Sequence, residues 1–209
     1  MVRVPKLQDA YASKTAGDIK RLYEDWAQSY DAAFADAEGY QLPREVVMAF
    51  ITMSGCGPVL DVGAGTGIVA ERLQDAGVGP VDALDLSQDM LNVAAAKGCY
   101  RDLFAEDVTQ PLSKLVEGSY RGIVSAGTFT LGHVGPEALD NLVAVAAPGC
   151  LFVFSVNSKH FVSSGFEAKL AELDSVCEEF RQREVRIYDD RAAPSHRDDT
   201  ALIVSFRKR

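Results

Sequence analysis

The charge balance of this 209-residue chain excludes two large classes of partner. The 30 acidic residues against 21 basic ones give a formal net charge of -9, which repels nucleic-acid phosphates and anionic membrane surfaces. Apolar residues make up 47% of the chain, enough to bury one continuous core. We therefore expect a small-molecule partner, no nucleic acid and no membrane, and the sequence leaves open whether the protein is a monomer or a homodimer.

Neither a targeting segment nor a metal site is evident in the sequence. The N-terminus, MVRVPKLQDAYASK, lacks the apolar run of a signal peptide, and the longest apolar runs, such as LFVF, are far shorter than a membrane span. The four cysteines lack the spacing of metal ligands. These features predict a cytoplasmic protein with no bound metal.

The N-terminal quarter of the chain is predicted to be helical. Apolar residues recur at helical spacing through residues 16–36, and a second helix is expected over PREVVMAFITM. We assign residues 1–55 to an N-terminal helical lid or cap and residues 56–209 to an α/β core. Both parts belong to one expected domain, residues 1–209.

Strands alternate with helices of about ten residues through the middle of the chain. The expected strands, in chain order, are PVLDVG, PVDALDL, CYRDLF, YRGIVSAG and CLFVFSVN. Expected helices follow the first, second and fourth of these strands: GIVAERLQDAG, SQDMLNVAAAKG with Ser87 as its N-cap, and PEALDNLVAVA. This alternation predicts a parallel sheet with helices on both faces.

The C-terminal part departs from this alternation. The stretches SGFEAKLAELDSVCEEFRQREVRIY and ALIVSFRKR predict one helix and then two strands, interpreted as an antiparallel hairpin at the sheet edge. Ligands in such sheets bind outside the carboxyl ends of the strands. Asp61, Asp85, Asp107 and residues 125–130 are expected at those ends.

The stretch VLDVGAGTG, residues 59–67, is a glycine-rich turn after an apolar strand. Such a turn can hold a triphosphate, a dinucleotide pyrophosphate or the methionine part of S-adenosylmethionine. A triphosphate site is excluded because no Lys-Ser or Lys-Thr pair follows the loop.

The dinucleotide interpretation rests on a partial motif. Residues 65–70 fit the pattern G-x-G-x-x-A, and Asp85 lies at the next strand end. Counted from Gly63, where the strand stops, the third glycine position is occupied by Ile68, and the pattern fails. A nicotinamide-dependent oxidoreductase therefore stays an alternative.

Charge favours S-adenosylmethionine over a pyrophosphate. The carboxylate of Asp61 is expected to point toward the cleft, where it repels phosphate and attracts an ammonium or a sulfonium. Gly63 and Gly65 allow the backbone to approach the methionine part of the ligand. Asp85 can accept hydrogen bonds from the ribose hydroxyls and Asp107 one from the adenine amino group. Leu86 and Met90 are expected to form apolar walls for the adenine.

Four stretches in order, VLDVGAGTG, ALDLSQDML, FAEDVTQPL and PGCLFVFSVN, resemble the successive motifs of class I S-adenosylmethionine-dependent methyltransferases. The resemblance covers roughly residues 23–207. It implies a Rossmann-like α/β fold with a seven-stranded, mostly parallel sheet, and it implies S-adenosyl-L-methionine as the cofactor.

Further stretches, AGTFTLGHVGPEAL, VNSKHF, GFEAKL and ALIVSFRK, resemble the methyltransferase-like group named after the Williams-Beuren chromosome region. This narrower resemblance implies no particular substrate. Ala64 stands where many members carry Cys, a change that leaves the backbone contacts intact. Tyr30, in SYDAAF, resembles the position that covers the methionine end of the cofactor.

The expected site has a cofactor part and an acceptor part. The residues expected to contact the cofactor are Asp61, Gly63, Ala64, Gly65, Asp85, Leu86, Met90, Asp107, Val108, Ser125, Ala126 and Tyr30. Thr128, Phe129 and His133 are expected to face the acceptor, with His133 as a possible base and His160 as a second candidate.

These residues predict S-adenosylmethionine-dependent methyl transfer to a small acid, amine or hydroxyl compound. Besides the oxidoreductase, a module that binds the cofactor without turnover stays open, because none of these side chains is unambiguously catalytic.

Overall fold

The computed structural model of the protein describes residues 39–131 and 133–209. The helix expected over residues 16–36, including Tyr30, lies outside the described residues. The described helices are α1 (Leu42–Thr52), α2 (Ile68–Asp75), α3 (Gln88–Ala96), α4 (Ala138–Val145), α5 (Ser158–Ser163) and α6 (Phe166–Leu173). The described strands are β1 (Val59–Val62), β2 (Val81–Asp85), β3 (Leu103–Ala105), β4 (Tyr120–Phe129), β5 (Ala146–Asn157), β6 (Cys177–Arg186) and β7 (Thr200–Lys208).

These strands form one seven-stranded sheet in the order β3-β2-β1-β4-β5-β7-β6. Strands β1 to β5 are parallel, whereas β7 pairs antiparallel with both β5 and β6. The expected seven-stranded, mostly parallel sheet with an antiparallel C-terminal hairpin is therefore confirmed. Strand order reverses between β1 and β4, which is the point where ligands bind in open α/β sheets.

Strand β5 shows why helices cover both faces of the sheet. Phe152 and Phe154 pack in a cluster with residues of α4 and α6, whereas Leu151 and Val153 pack in a second cluster with residues of α1 and α2. Successive strand residues point to opposite faces, so both faces of this apolar strand need a covering layer. Helix α1 thus belongs to one layer, while the division into a cap over residues 1–55 and a core over residues 56–209 stays a prediction.

Helix α3 begins as its sequence predicts. Ser87 is its N-cap, and the Ser87 hydroxyl accepts a hydrogen bond from the backbone N–H of Met90 at 3.3 Å. Because only Leu86 separates Ser87 from the end of β2, the strand end and the helix start are held together at the sheet edge.

Three elements differ from the expected ones. Strand β3 begins at Leu103, later than expected, and just before it the side chains of Tyr100 and Arg101 bond to the buried Asp61 and Asp82. Strand β5 begins at Ala146 rather than at Cys150, since α4 ends at Val145. Helix α5 was not predicted; its first backbone N–H groups bond to the side chain of Asn157.

None of the described helices combines the length and the apolar character that crossing a bilayer requires.

Candidate active site

A cavity lies outside the carboxyl ends of β1 to β4, at the point where strand order reverses. Its lining comes from the residues around the start of α1, the loop after β1, the end of β2 with α3, the segment after β3 and the end of β4. These are the strand ends where the sequence predicts a ligand site. The short connections after parallel strands bring them together at one edge.

The glycine loop forms the centre of the cavity wall. The backbone N–H groups of Gly63 and Ala64 donate to the carbonyl of Leu84 at 2.7 and 3.1 Å, which ties the loop to β2. Gly63, Ala64 and Gly65 line the cavity. A Cβ added to Gly65 would have no other atom within 4 Å, so this residue presents bare backbone to open space.

Asp85 joins the loop to the end of β2. Its Oδ2 accepts from the N–H of Gly65 and its Oδ1 from the N–H of Ser87, each at 2.8 Å. Partial burial raises the pKa of this carboxyl above its ordinary value, while the backbone donors of Ser87, Gly65 and Leu86 oppose the rise. Each oxygen retains a further lone pair for a ligand hydroxyl.

Asp61 is buried with 0% exposure, and it is not among the described residues that line the cavity. Its Oδ2 accepts a 2.7 Å hydrogen bond from the hydroxyl of Tyr100. Its Oδ1 has no hydrogen-bond partner among the described residues. Burial raises the pKa of Asp61 to about 7, with the Tyr100 hydrogen bond opposing the rise and Asp85 adding to it.

The residues expected around the adenine lie along one side of the cavity. Leu86, Met90, Asp107 and Val108 all line it. Oδ1 of Asp107 accepts from the backbone N–H and the hydroxyl of Thr109 at 2.9 and 2.7 Å, which orients the carboxyl after the end of β3.

The end of β4 forms the opposite side of the cavity. Ala126 and Thr128 line it, whereas Ser125 is buried and is not among the described lining residues. The hydroxyls of Ser125 and Thr128 both donate to the carbonyl of Val62, at 2.7 and 3.0 Å. These two bonds fix the end of β4 against β1 beside the glycine loop.

Of the residues expected at the acceptor, the structure brings Thr128 and His133 to the cavity. Phe129, also expected there, has 1% exposure and packs against Phe154 and Phe166 in the core. The register of β4 against β5 shifts between Ser125 and Phe129, which accompanies this inward placement.

His160 supports the cavity from behind its lining. Its side chain is buried, with Nε2 2.8 Å from the carbonyl of Val134 and Nδ1 2.9 Å from the hydroxyl of Ser164. The carbonyl can only accept, so Nε2 carries the proton and donates, and Nδ1 accepts from Ser164. Val134 lines the cavity, so His160 holds the loop that contains His133 and Val134.

Sequence analysis missed several lining residues, among them Tyr40, Pro43 and Glu106. Tyr40 reaches the cavity from the residues before α1, where it forms a β-bridge with Tyr188. Nothing local in the sequence marks Tyr40, because both its bridge and its place at the cavity depend on distant parts of the chain. For Glu106 the sequence does contain an indication, because this residue stands beside Asp107 at a predicted strand end.

The charged groups of the cavity are acidic. Among the described lining residues, Asp85, Glu106 and Asp107 carry carboxyls, and no lysine or arginine is present. No group of three or more His, Cys, Asp or Glu suited to a metal occurs in the described part of the chain. Bare loop backbone, several carboxyls and the apolar Leu86 and Met90 can together bind a cationic ligand that carries hydroxyls and an aromatic ring.

Comparison with known sequences finds proteins similar to this chain. A family model described as "Methyltransferase domain" matches residues 59–149, which include the glycine loop, Asp85 and Asp107. Methyltransferase-like protein 27 of Homo sapiens is 31% identical over 161 residues, which cover 73% of this chain and 64% of that protein. The chain thus spans less than two thirds of the length of this curated relative.

Comparison with solved structures extends the likeness to the fold. A TehB-like SAM-dependent methyltransferase from Corynebacterium glutamicum superimposes with a TM-score of 0.62 at 21% identity, covering 90% of this chain and 98% of that one. The cyclase SpnF superimposes with a TM-score of 0.68 at 14% identity, covering 94% of this chain and 97% of that one. At these identities the likeness shows a shared fold.

Proposed function

We propose that this chain, which belongs to the class I S-adenosylmethionine-dependent methyltransferases, transfers the methyl group of that cofactor to a small-molecule acceptor. The observation that carries the proposal is the charge of the cavity, whose described lining holds three carboxyls and neither lysine nor arginine. Such a cavity attracts a cationic nucleoside and repels a pyrophosphate.

The described residues fit this cofactor. Oδ1 of Asp61 is buried without a partner among them, an arrangement that favours a positive charge nearby. We assign the ribose hydroxyls to Asp85, the adenine amino group to Asp107, and the adenine ring to the space between Leu86, Met90 and Val108. Gly63, Ala64 and Gly65, with the backbone of Ser125 and Ala126, are assigned to the methionine part.

When bound, S-adenosylmethionine supplies a methyl group made electrophilic by its sulfonium. Its positive charge disperses during the transfer, so the main tasks of this chain are to align the acceptor and to exclude water. We assign the acceptor to the end of β4, beside Thr128, His133 and Val134, all of which line the cavity. Tyr40 faces the same end, since its hydroxyl lies against Gly127.

Two side chains have assigned roles toward the acceptor. The Thr128 hydroxyl donates its proton to the carbonyl of Val62, so its oxygen offers lone pairs that orient an acceptor N–H or O–H. His133 takes the proton that the acceptor releases. Phe129 is left out of this assignment because it packs in the core.

The same charges narrow the class of acceptor. A carboxylate acceptor would approach Asp85, Glu106 and Asp107 with no lysine or arginine among the described lining residues to offset its charge. We therefore assign an amine or a neutral hydroxyl compound as the acceptor, in preference to an acid.

The test is turnover by the full chain with S-adenosylmethionine and matched amines, alcohols and carboxylic acids on the same carbon skeletons. S-adenosylhomocysteine release and the methylated product are followed by mass spectrometry. We expect products from amines or alcohols, and His133→Gln should lower kcat by about a hundredfold or more while leaving S-adenosylhomocysteine affinity intact. Methylation of acids alone would overturn the acceptor class.

The same assay separates the rival functions. A module that binds the cofactor without turnover would bind S-adenosylhomocysteine and yield no product with any acceptor. The cyclase SpnF shares this fold, so the fold alone does not establish methyl transfer, and product formation is the deciding observation. An oxidoreductase would instead bind NADH, which the carboxyls of this cavity disfavour.

A further inference from the structure

Tyr100, 39 residues after Asp61 in the sequence, contacts both the end of β1 and the end of the glycine loop. Its hydroxyl donates to Oδ2 of Asp61 at 2.7 Å, and its ring lies beside Gly67 at the start of α2. A Cβ added to Gly67 would lie 3.1 Å from a ring carbon of Tyr100. One side chain from the segment before β3 thus contacts both the end of β1 and the end of the glycine loop.

The hydrogen bond from Tyr100 involves only one of the two oxygens of the Asp61 carboxyl. Oδ1 has no partner among the described residues, although the residue has 0% exposure. A buried carboxylate oxygen without a hydrogen bond is costly unless a positive charge compensates it. Gly63, two residues along the chain, lines the cavity, so that charge can come from the bound ligand.

Among the described residues, the other titratable groups that act on Asp61 supply no positive charge. Asp85, on the neighbouring strand β2, adds negative charge to the site. Burial raises the pKa of the Cys99 thiol, which therefore stays neutral at physiological pH. Burial and the adjacent Asp61 also raise the pKa of Tyr100, so its hydroxyl keeps its proton and remains a donor.

We propose that Tyr100 is a positioning residue for cofactor binding, which holds the Asp61 carboxylate beside the glycine loop so that its second oxygen receives the positive charge of the ligand. This role deepens the proposed function and rests on it. Under this proposal cofactor affinity depends on pH through Asp61, which is not among the described residues that line the cavity.

The direction of that dependence follows from Asp61. Its pKa is raised to about 7, so it is largely neutral below that pH and ionised above it. A cationic ligand binds the ionised form, and affinity should therefore increase with pH. Tyr100→Phe keeps the ring beside Gly67 but removes the hydrogen bond that stabilises the carboxylate, which moves the increase to higher pH.

The experiment is calorimetric titration of S-adenosylhomocysteine into the full chain between about pH 6 and about pH 9. The ammonium of this ligand stays charged over most of that range. We expect wild-type affinity to rise about tenfold between about pH 6 and about pH 8, because the fraction of the protein in which Asp61 is ionised grows over this range. Tyr100→Phe should bind several-fold more weakly near neutral pH and approach wild-type affinity at the highest pH.

Three controls isolate the Tyr100 hydroxyl. Tyr120→Phe removes a comparable hydrogen bond, 2.8 Å to Oδ2 of Asp82, a buried aspartate near the amino end of β2, and should leave the pH profile unchanged. His133→Gln replaces an imidazole of the cavity lining by an amide and should keep the pH response of binding. 5′-Methylthioadenosine lacks the ammonium, and its affinity should not respond to Tyr100→Phe.

The outcomes separate this inference from the proposed function. A wild-type chain that binds no S-adenosylhomocysteine at any pH would contradict the proposed function itself. Binding that is independent of pH, or a Tyr100→Phe loss that is equal at every pH, would overturn the role of Tyr100 and leave the proposed function standing.

Discussion

The backbone N–H of Gly65 donates a 2.8 Å hydrogen bond to Oδ2 of Asp85. The second oxygen of Asp85 accepts from the N–H of Ser87, the N-cap of α3. One carboxylate therefore holds the glycine loop, the end of β2 and the start of α3 in a single arrangement. Asp85 therefore shapes the loop that is assigned to the ligand, in addition to its assigned contact with the ribose.

Replacing Asp85 by asparagine should weaken ligand binding more than a loss of charge elsewhere. An amide has one acceptor oxygen, so Asp85→Asn can satisfy only one of the two backbone N–H groups and turns its NH2 toward the other. We expect S-adenosylhomocysteine affinity to fall by about ten- to a hundredfold in calorimetry, as for a lost hydrogen bond to a charged group. Asp89→Asn, an exposed change of equal charge on α3, is the matched control. Equal effects of the two changes would contradict the assignment of Asp85.

Gly65→Ala tests whether the bare backbone of the loop is needed for binding. Gly65 has φ +53, and Gly98, away from the cavity, has φ +68; an added Cβ meets no other atom within 4 Å at either position. Alanine at either position should cost about 1–2 kcal/mol of unfolding free energy, the penalty of the left-handed conformation. Only Gly65→Ala should reduce S-adenosylhomocysteine binding. Unchanged affinity in Gly65→Ala would show that the ligand does not approach this backbone.

Gly127 and Tyr40 should be energetically coupled. Gly127 has φ +87, and a Cβ there would overlap the Tyr40 hydroxyl oxygen while making ordinary contact with the ring at 3.4 Å. Gly127→Ala should therefore lower the free energy of unfolding, and Tyr40→Phe should relieve the steric part of that loss. Urea denaturation of the two single variants and the double variant should give a favourable coupling of about 1 kcal/mol. Simple additivity would contradict this packing.

Asp61 should make stability fall as pH rises. Its folded-state pKa of about 7 lies above the ordinary 3.8, so between these values the folded chain retains a proton that the unfolded chain has lost. This contribution to stability is complete below the ordinary value and is lost as pH rises through about 7. The unfolding free energy of the wild type, relative to that of Asp61→Asn, should drop by about 3 kcal/mol between about pH 5 and about pH 8. A constant difference would show that Asp61 is ionised throughout.

Much of the fold was predictable because its signals are local. The glycine loop, the aspartates at successive strand ends and the Ser87 cap each lie within a few residues of the turn that they specify. Parallel strands then bring Gly65, Asp85 and Asp107 to one edge whatever the details of side-chain packing. This is why the cavity lies where the sequence predicts it.

The remaining features depend on contacts between distant parts of the chain. Tyr100 reaches Asp61 from the segment before β3, and Tyr40 reaches Gly127 from the residues before α1. The core position of Phe129 was also not predictable from the local sequence. A register shift in β4 accompanies that position, and no pattern in TFTLGH indicates the shift. Side-chain orientation at an irregular strand end depends on its partners and not on its own sequence.

The most direct test of the cofactor site is a parallel titration of S-adenosylhomocysteine and NADH into the full chain by calorimetry. The proposed site predicts that S-adenosylhomocysteine binds with a dissociation constant on the order of micromolar, about -8 kcal/mol, and that NADH produces no heat of binding. Binding of NADH without binding of S-adenosylhomocysteine would contradict it.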